Sequence, residues 1–183
     1  IKATNILYDG SVANMNLQAL NCGVIAGIMK KANPDVNMVS APVIAQERGI
    51  KISTTNQDKS GVFDGYIKVT VVTDKRERSI AGTVFSDGKP RFIQIKGIQI
   101  DAEVGAHMLY TTNTDTPGII GVLGQTLGEN GVNIANFTLG RAEAKGEAIA
   151  LLYVDDQVPA PVIKQLEATG MFNQIKPLAF DVA

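Results

Sequence analysis

The sequence predicts an α+β protein built as two domains. The first sign is length and composition: 183 residues, 45% of them hydrophobic, are enough for one large or two small cores. The second is a change of rhythm. Up to about residue 106 two helical stripes precede a series of alternating strands, whereas residues 107–183 read strand, helix, strand, strand, helix, strand. Boundaries are therefore expected at 1–106 and 107–183. The first domain should be two helices on a mainly antiparallel sheet, and the second a βαββαβ module.

In the first domain, "IKATNILYD" opens as a strand. Next comes "VANMNLQALNCGVIAGIMKK", in which Leu17, Leu20, Val24 and Ile28 share one helical stripe and are expected in the core. Asn33 and Pro34 interrupt the chain before "VNMVSAPVIAQERG", a second helix with Pro42 in an early turn and Gly49 as its stop. From Ile50 the period becomes two, and "IKIST", "YIKVTVVT", "SIAGTVF", "RFIQIK" and "IQID" read as strands. The polar stretch "STTNQDKSGVFDG" marks a loop, and Ser86-Asp87-Gly88-Lys89 marks a hairpin turn.

In the second domain, "HMLYTTN" is a strand, and a helix is expected over residues 117–130, with Thr116 as cap, Pro117 in first position and Gly131 as stop. Ile119, Leu123 and Leu127 fall at intervals of four and should face the sheet. Strands "VNIANFTLG" and "AIALLYVD", a helix from Pro159 and the strand "FNQIKPLAF" complete the module. Split βαβ units with right-handed crossovers give a ferredoxin-like sheet with both helices on one face.

Formal net charge −1 gives no reason to invoke nucleic acid or an anionic membrane, and no apolar run reaches the ~20 residues of a membrane span. No signal peptide is read, so a cytoplasmic protein is expected. Cys22 is the lone cysteine, which excludes an intrachain disulfide and a cysteine-based metal cage; it reads as a small core residue. The chain opens at Ile1, inside a strand and without Met, and is expected to be part of something longer.

One segment points to a binding site. "YTTNTDTPGIIGVLGQTLGENGVNIANFTLGR" places Gly118, Gly121, Gly124 and Gly128 along one short helix, although an interior glycine costs roughly 0.5–1 kcal/mol relative to alanine. The unpaired amides at the helix start and the positive end of its dipole suit a carboxylate, and Gly118 lets a ligand approach that backbone. Asp115 could meet an ammonium group and Asn113 could bond either charge. A free amino acid fits such a set; the same residues equally suit a helix cap and a strand end. Gly121, Gly124 and Gly128 are read as allowing close helix packing.

Asn133 begins the strand after the helix, so it lies at the opposite end of the sheet from Asp115. Fourteen helical residues would span about 20 Å. One small metabolite cannot touch both within one copy. Two copies pairing their edge strands about a two-fold axis would bring Asn133 of one copy to Asp115 of the other. Taken alone, Asn133 is also a plain turn residue after Gly131.

"TDTPGIIGVLGQTLGENGVNI" resembles the ACT domain, a βαββαβ ligand-binding module that regulates amino-acid metabolism. Read in order with "MNLQALNCGVIAGIMK", "VNMVSAPVIAQERGI", "GTVFSDGKPRFIQIKG" and "GVNIANFTLGR", the chain resembles the C-terminal half of the long-form D-3-phosphoglycerate dehydrogenases over essentially its whole length. The resemblance implies an intervening, allosteric substrate-binding domain followed by an ACT domain that binds L-serine between subunits, as feedback inhibition of serine biosynthesis. The implied effector set is Asn113, Asp115, Gly118, Ile119 and Asn133; Asn113 departs from the His or Tyr of some members. An anion site of the intervening domain maps one basic position onto Arg91 and two others onto Glu103 and Tyr153. Lys89, Arg91 and Lys96 are the possible anion ligands, with a solvated charged hairpin as the plainer reading.

No Gly-x-Gly-x-x-Gly opens a βαβ unit, so the NAD fold that the resemblance implies for the parent enzyme is not in this chain. No catalytic residue is identified: His107 lacks a suggested carboxylate partner, and Glu47 and Arg48 read as charges on a last helical turn. The expected partners are L-serine or a similar small amino acid, a second copy of the chain, and the catalytic domains of the parent. A free-standing amino-acid-sensing ACT subunit is the alternative; the small subunit of acetolactate synthase, for one, carries two βαββαβ modules, and the first half here does not repeat that pattern. An iron–sulfur serine dehydratase would need cysteines that the chain lacks.

Overall fold

The computed structural model describes residues 1–59 and 61–182. The chain divides into two compact units, Ile1–Val84 and Phe85–Ala183. The boundary expected at 106/107 falls inside the second unit.

In the first unit, strand β1 (Ala3–Gly10) is followed by a 3-10 turn (Ser11–Asn14), helix α1 (Leu17–Lys30), helix α2 (Ala41–Glu47) and strands β2 (Lys51–Gln57), β3 (Gly65–Val72) and β4 (Glu77–Val84). β1 pairs in parallel with β2 and antiparallel with β3, and β3 pairs antiparallel with β4. The parallel pair follows from the two helices, which supply the crossover that such a pair requires. β2 extends through Gln57 and takes in the start of the expected loop; residue 60 lies outside the described residues.

Asn16 caps α1 by accepting from the Ala19 amide at 3.2 Å. The buried stripe of α1 is Ile25 and Met29, while Leu17, Leu20, Val24 and Ile28 are half-buried. The helix is apolar nearly all round, and its packing with Val36, Ala41 and Ala45 sets the rotation. The second helix is shorter than expected: Asn37 Oδ1 accepts from the Val39 and Ser40 amides and holds the preceding residues in a turn. Tyr8, fully buried on β1, donates its hydroxyl to Asn21 of α1 at 2.9 Å.

The second unit begins with the turn before β5 (Pro90–Ile95) and the antiparallel hairpin β5–β6 (Ile98–Glu103). Then follow β7 (His107–Thr114), α3 (Ile119–Glu129), β8 (Ile134–Arg141), β9 (Glu147–Val154), α4 (Ala160–Ala168) and β10 (Gln174–Ala179). The sheet order β10-β7-β9-β8, with antiparallel neighbours, is the ferredoxin-like arrangement.

One face of this sheet carries Leu109, Ala150, Leu152, Val154 and Ile175 against Ile119, Leu123 and Leu127 of α3 and Val162 and Leu166 of α4. The period-four stripe of α3 is buried as its spacing requires. The other face carries Met108, Ile149 and Leu151 against Ile95, Ile98, Ile100 and Ala102 of the hairpin. The hairpin is thus a second cover on the sheet, and β9 is buried on both sides. That packing is why β5 and β6 belong to the second unit. At Gly140 of β8 a Cβ would run into the Gln99 carbonyl oxygen and lie 3.0 Å from Ile98 Cγ2.

Candidate functional site

β7 and β9 place the first two site residues. Asn113 sits opposite Ala148 and Thr114 opposite Glu147, and the Asp115 amide donates to the Gly146 carbonyl at 2.8 Å. Asn113 is 2% exposed. Its Nδ2 donates to the Thr114 carbonyl at 2.8 Å, while its Oδ1 has no hydrogen-bond partner among the described residues. A buried acceptor left without a donor costs roughly 1–3 kcal/mol, so this oxygen is a place where a donor-bearing ligand would be rewarded.

The helix starts two residues later than expected. Gly118, at φ 97°, occupies the N-cap and α3 runs from Ile119. No side chain caps it; the Thr116 hydroxyl donates instead to the Thr114 carbonyl at 3.3 Å. Only glycine takes that φ without strain. The first amides of α3 are consequently without a side-chain cap. The Ile119 side chain is core, 4% exposed, so any contact from it to a ligand would run through its backbone.

Asp115 is engaged. Its Oδ2 accepts from Arg141 Nη1 at 3.0 Å and from the Lys145 amide at 3.4 Å. Sequence reasoning missed Arg141, which lies 26 positions away at the end of β8; nothing in the local spacing pairs them.

Asn133 lies at the other end of the sheet, exposed, with its Nδ2 donating to Asp155 Oδ2 at 2.7 Å. Asp115 is tied to Gly146 at one end of β9 and Asn133 to Asp155 at the other. That length of extended chain is about 30 Å. Asn113, Asp115 and the start of α3 follow one another at the end of β7, and Asn133 does not join them within one copy. Gly121, Gly124 and Gly128 pack against nothing: a Cβ on any of them would meet no atom within 4 Å outside the helix itself. Close helix packing within this chain is not their role.

The basic residues of the hairpin are all paired. Lys89 meets Glu103 at 2.7 Å, and this carboxylate raises the Lys89 pKa. Arg91 lies 3.4, 3.6 and 3.7 Å from Asp87, Asp101 and Glu103 and stacks over the Phe85 ring at 4.6 Å. Lys96 is at the opposite end of β5, at φ 52°, and pairs with Glu147 at 2.6 Å. The three cations are not gathered around one point.

The first unit holds a separate polar groove of about 420 Å³ lined by Gly10, Ser11, Asn14, Asp58 and Lys59, among others. Beside it the buried Asp9 accepts from the Lys59 amide at 2.9 Å and from Gln57 Nε2 at 2.7 Å. The Lys59 amide is the largest cause of a lowered Asp9 pKa, opposed by burial and assisted by Gln57, Tyr66 and the Gly10 amide. Among the described residues, no helix is long and apolar enough to cross a membrane.

Residues 1–96 match the family model of the D-3-phosphoglycerate dehydrogenase intervening domain. The chain belongs to that family. It is similar to the D-3-phosphoglycerate dehydrogenase of Bacillus subtilis, 32% identical over 162 residues that cover 88% of this chain and 31% of that protein. The enzyme of that name from Methanocaldococcus jannaschii is 30% identical over 170 residues, 91% of this chain and 32% of the relative. That of Synechocystis is 32% identical over 168 residues, covering 91% and 30%. The chain spans about a third of the length of these D-3-phosphoglycerate dehydrogenases. The alignments extend past the intervening-domain model and, with so much of the chain covered, take in most of the ferredoxin-like module.

Proposed function

We propose that this chain is the regulatory part of an NAD-dependent D-3-phosphoglycerate dehydrogenase, the enzyme that oxidises 3-phosphoglycerate to 3-phosphohydroxypyruvate and opens L-serine biosynthesis. Its second unit is an ACT domain that binds L-serine for feedback inhibition. The observation that carries this reading is the unsatisfied, buried Asn113 Oδ1, two residues before the Asp115 carboxylate and five before Gly118, where α3 starts without a side-chain cap. An amino acid brings an ammonium group for the two acceptors and a carboxylate for the helix amides, so one small zwitterion answers all three needs.

The site is read as shared between two copies, which the roughly 30 Å of β9 between Asp115 and Asn133 supports. β8 is at the end of the sheet order, and two copies joined edge to edge about a two-fold axis would carry Asn133 of one to Asp115 of the other. Serine then stabilises the joined arrangement, and inhibition is the difference in its affinity between two arrangements of the assembly. NAD and the dehydrogenase chemistry are assigned to the remaining two-thirds of the relatives' length.

Calorimetric titration of the purified protein with L-serine tests the reading. Binding at millimolar concentration or tighter is expected, together with at least a tenfold loss in Asp115→Ala. No heat from serine, or an unchanged affinity in that variant, would remove the effector site.

A further inference from the structure

Arg141 pairs with the carboxylate that the effector-site reading assigns to the ammonium. Arg141 and Asn113 flank the same residue, Ala148, from opposite sides of β9. Their backbones are thus two strand spacings apart, about 9.6 Å, within reach of an arginine side chain. Its guanidinium reaches back to Asp115 Oδ2 at 3.0 Å. Only 24% of the Asp115 side chain is exposed, against 59% for Arg141. The carboxylate is fixed, held also by the Lys145 amide, whereas the arginine can swing into water at little cost.

We infer that Arg141 is an internal competitor for the effector site: its guanidinium occupies the Asp115 position that an ammonium ligand takes, and binding exchanges one cation for the other. The inference rests on the effector-site reading above and adds to it a residue that sets affinity. Exchange has a consequence that simple attraction lacks. When an ammonium displaces a guanidinium, the number of ion pairs at Asp115 is the same before and after, so added salt weakens both sides of the equilibrium alike. When the arginine is removed, binding creates a pair that was not there and becomes salt-sensitive.

The experiment is calorimetric titration of the whole chain with L-serine at low salt and at 0.5 M NaCl (roughly fivefold above the ionic strength at which the screening length is about 10 Å), for wild type, Arg141→Gln and Arg141→Lys. Arg141→Gln is expected to bind about two- to fivefold more tightly at low salt, the range that an exposed ion pair allows, and to lose affinity as salt rises. Arg141→Lys, which keeps the cation, should stay near wild type, and wild type should change little with salt. Equal or weaker binding by Arg141→Gln while wild type binds serine would overturn the competitor and leave the effector site standing. Serine binding by none of the three proteins removes the effector site itself. Should Arg141→Gln fold poorly, wild type alone still decides: a steep fall in its affinity with salt contradicts exchange.

Discussion

Gly140→Ala should destabilise the second unit, although alanine is ordinarily the better strand residue. The added methyl would overlap the Gln99 carbonyl oxygen and come within 3.0 Å of Ile98 Cγ2 and 3.4 Å of the Gln99 carbonyl carbon. The isoleucine end can turn, but the carbonyl belongs to the backbone of β6. The hairpin must therefore move off β8, loosening Ile98 and Ile100 from Met108, Ile149 and Leu151. Overpacking of this kind costs about 1–3 kcal/mol. With 4–8 °C per kcal/mol for a unit of roughly a hundred residues, a cost of about 2 kcal/mol lowers its melting temperature by about 8–16 °C. Gly124→Ala is the matched control when both are compared at concentrations too low for pairing: within the chain a Cβ there meets no atom within 4 Å, and the helix gains about 0.5–1 kcal/mol. Scanning calorimetry of both variants beside wild type reads the contrast. Unfolding of Gly140→Ala at the wild-type temperature would refute the hairpin's contact with β8.

Two further variants probe buried polar groups. The Asp9 pKa is depressed below its ordinary 3.8, chiefly by the Lys59 amide, so its stabilisation is present above that value and lost as pH falls through the lower folded value. The difference in urea midpoint between wild type and Asp9→Asn should hold steady above about pH 5 and close below about pH 4; a difference independent of pH would contradict the assignment. Asn113→Leu removes an orphaned acceptor along with one hydrogen bond to Thr114, so urea unfolding should place it within about 1 kcal/mol of wild type. Its affinity for serine should nevertheless fall at least tenfold. A variant that keeps serine binding, or that loses more than about 2 kcal/mol, would assign Asn113 to the core instead.

Much of the second unit was legible because its signals are periodic. Ile119, Leu123 and Leu127 repeat at one helical interval and lie in one core. The second cover on the sheet was missed, yet "AIALLYV" announces it: an unbroken apolar strand has two faces to bury, and a module with helices on one side covers only one. The α3 start was misplaced because Thr116 and Pro117 are strong start signals, and the glycine after them adopts a conformation that periodicity does not record. In α1 the stripe was set one residue off because nearly every side of that helix is apolar, leaving tertiary contacts to choose. Arg141 was invisible for a different reason. Its pairing with Asp115 depends on strand register across β7, β9 and β8, which no local pattern encodes.

The glycine run of α3 illustrates how register and surface combine into function. Gly118 is explained by its φ, but Gly121, Gly124 and Gly128 remain open on the described surface, each spending helix stability on no contact within the chain. Ile120, 56% exposed, is beside them. A bare backbone next to an exposed isoleucine is what a helix offers when another backbone is to come close. The proposed effector site also calls for a second copy, because Asp115 and Asn133 are about 30 Å apart along β9. The symmetric pair proposed above, with the β8 edges as the join, would account for both features at once. Under that arrangement alanine at Gly124 strengthens the isolated helix while weakening association. The sign of its effect thus depends on whether folding or pairing is measured.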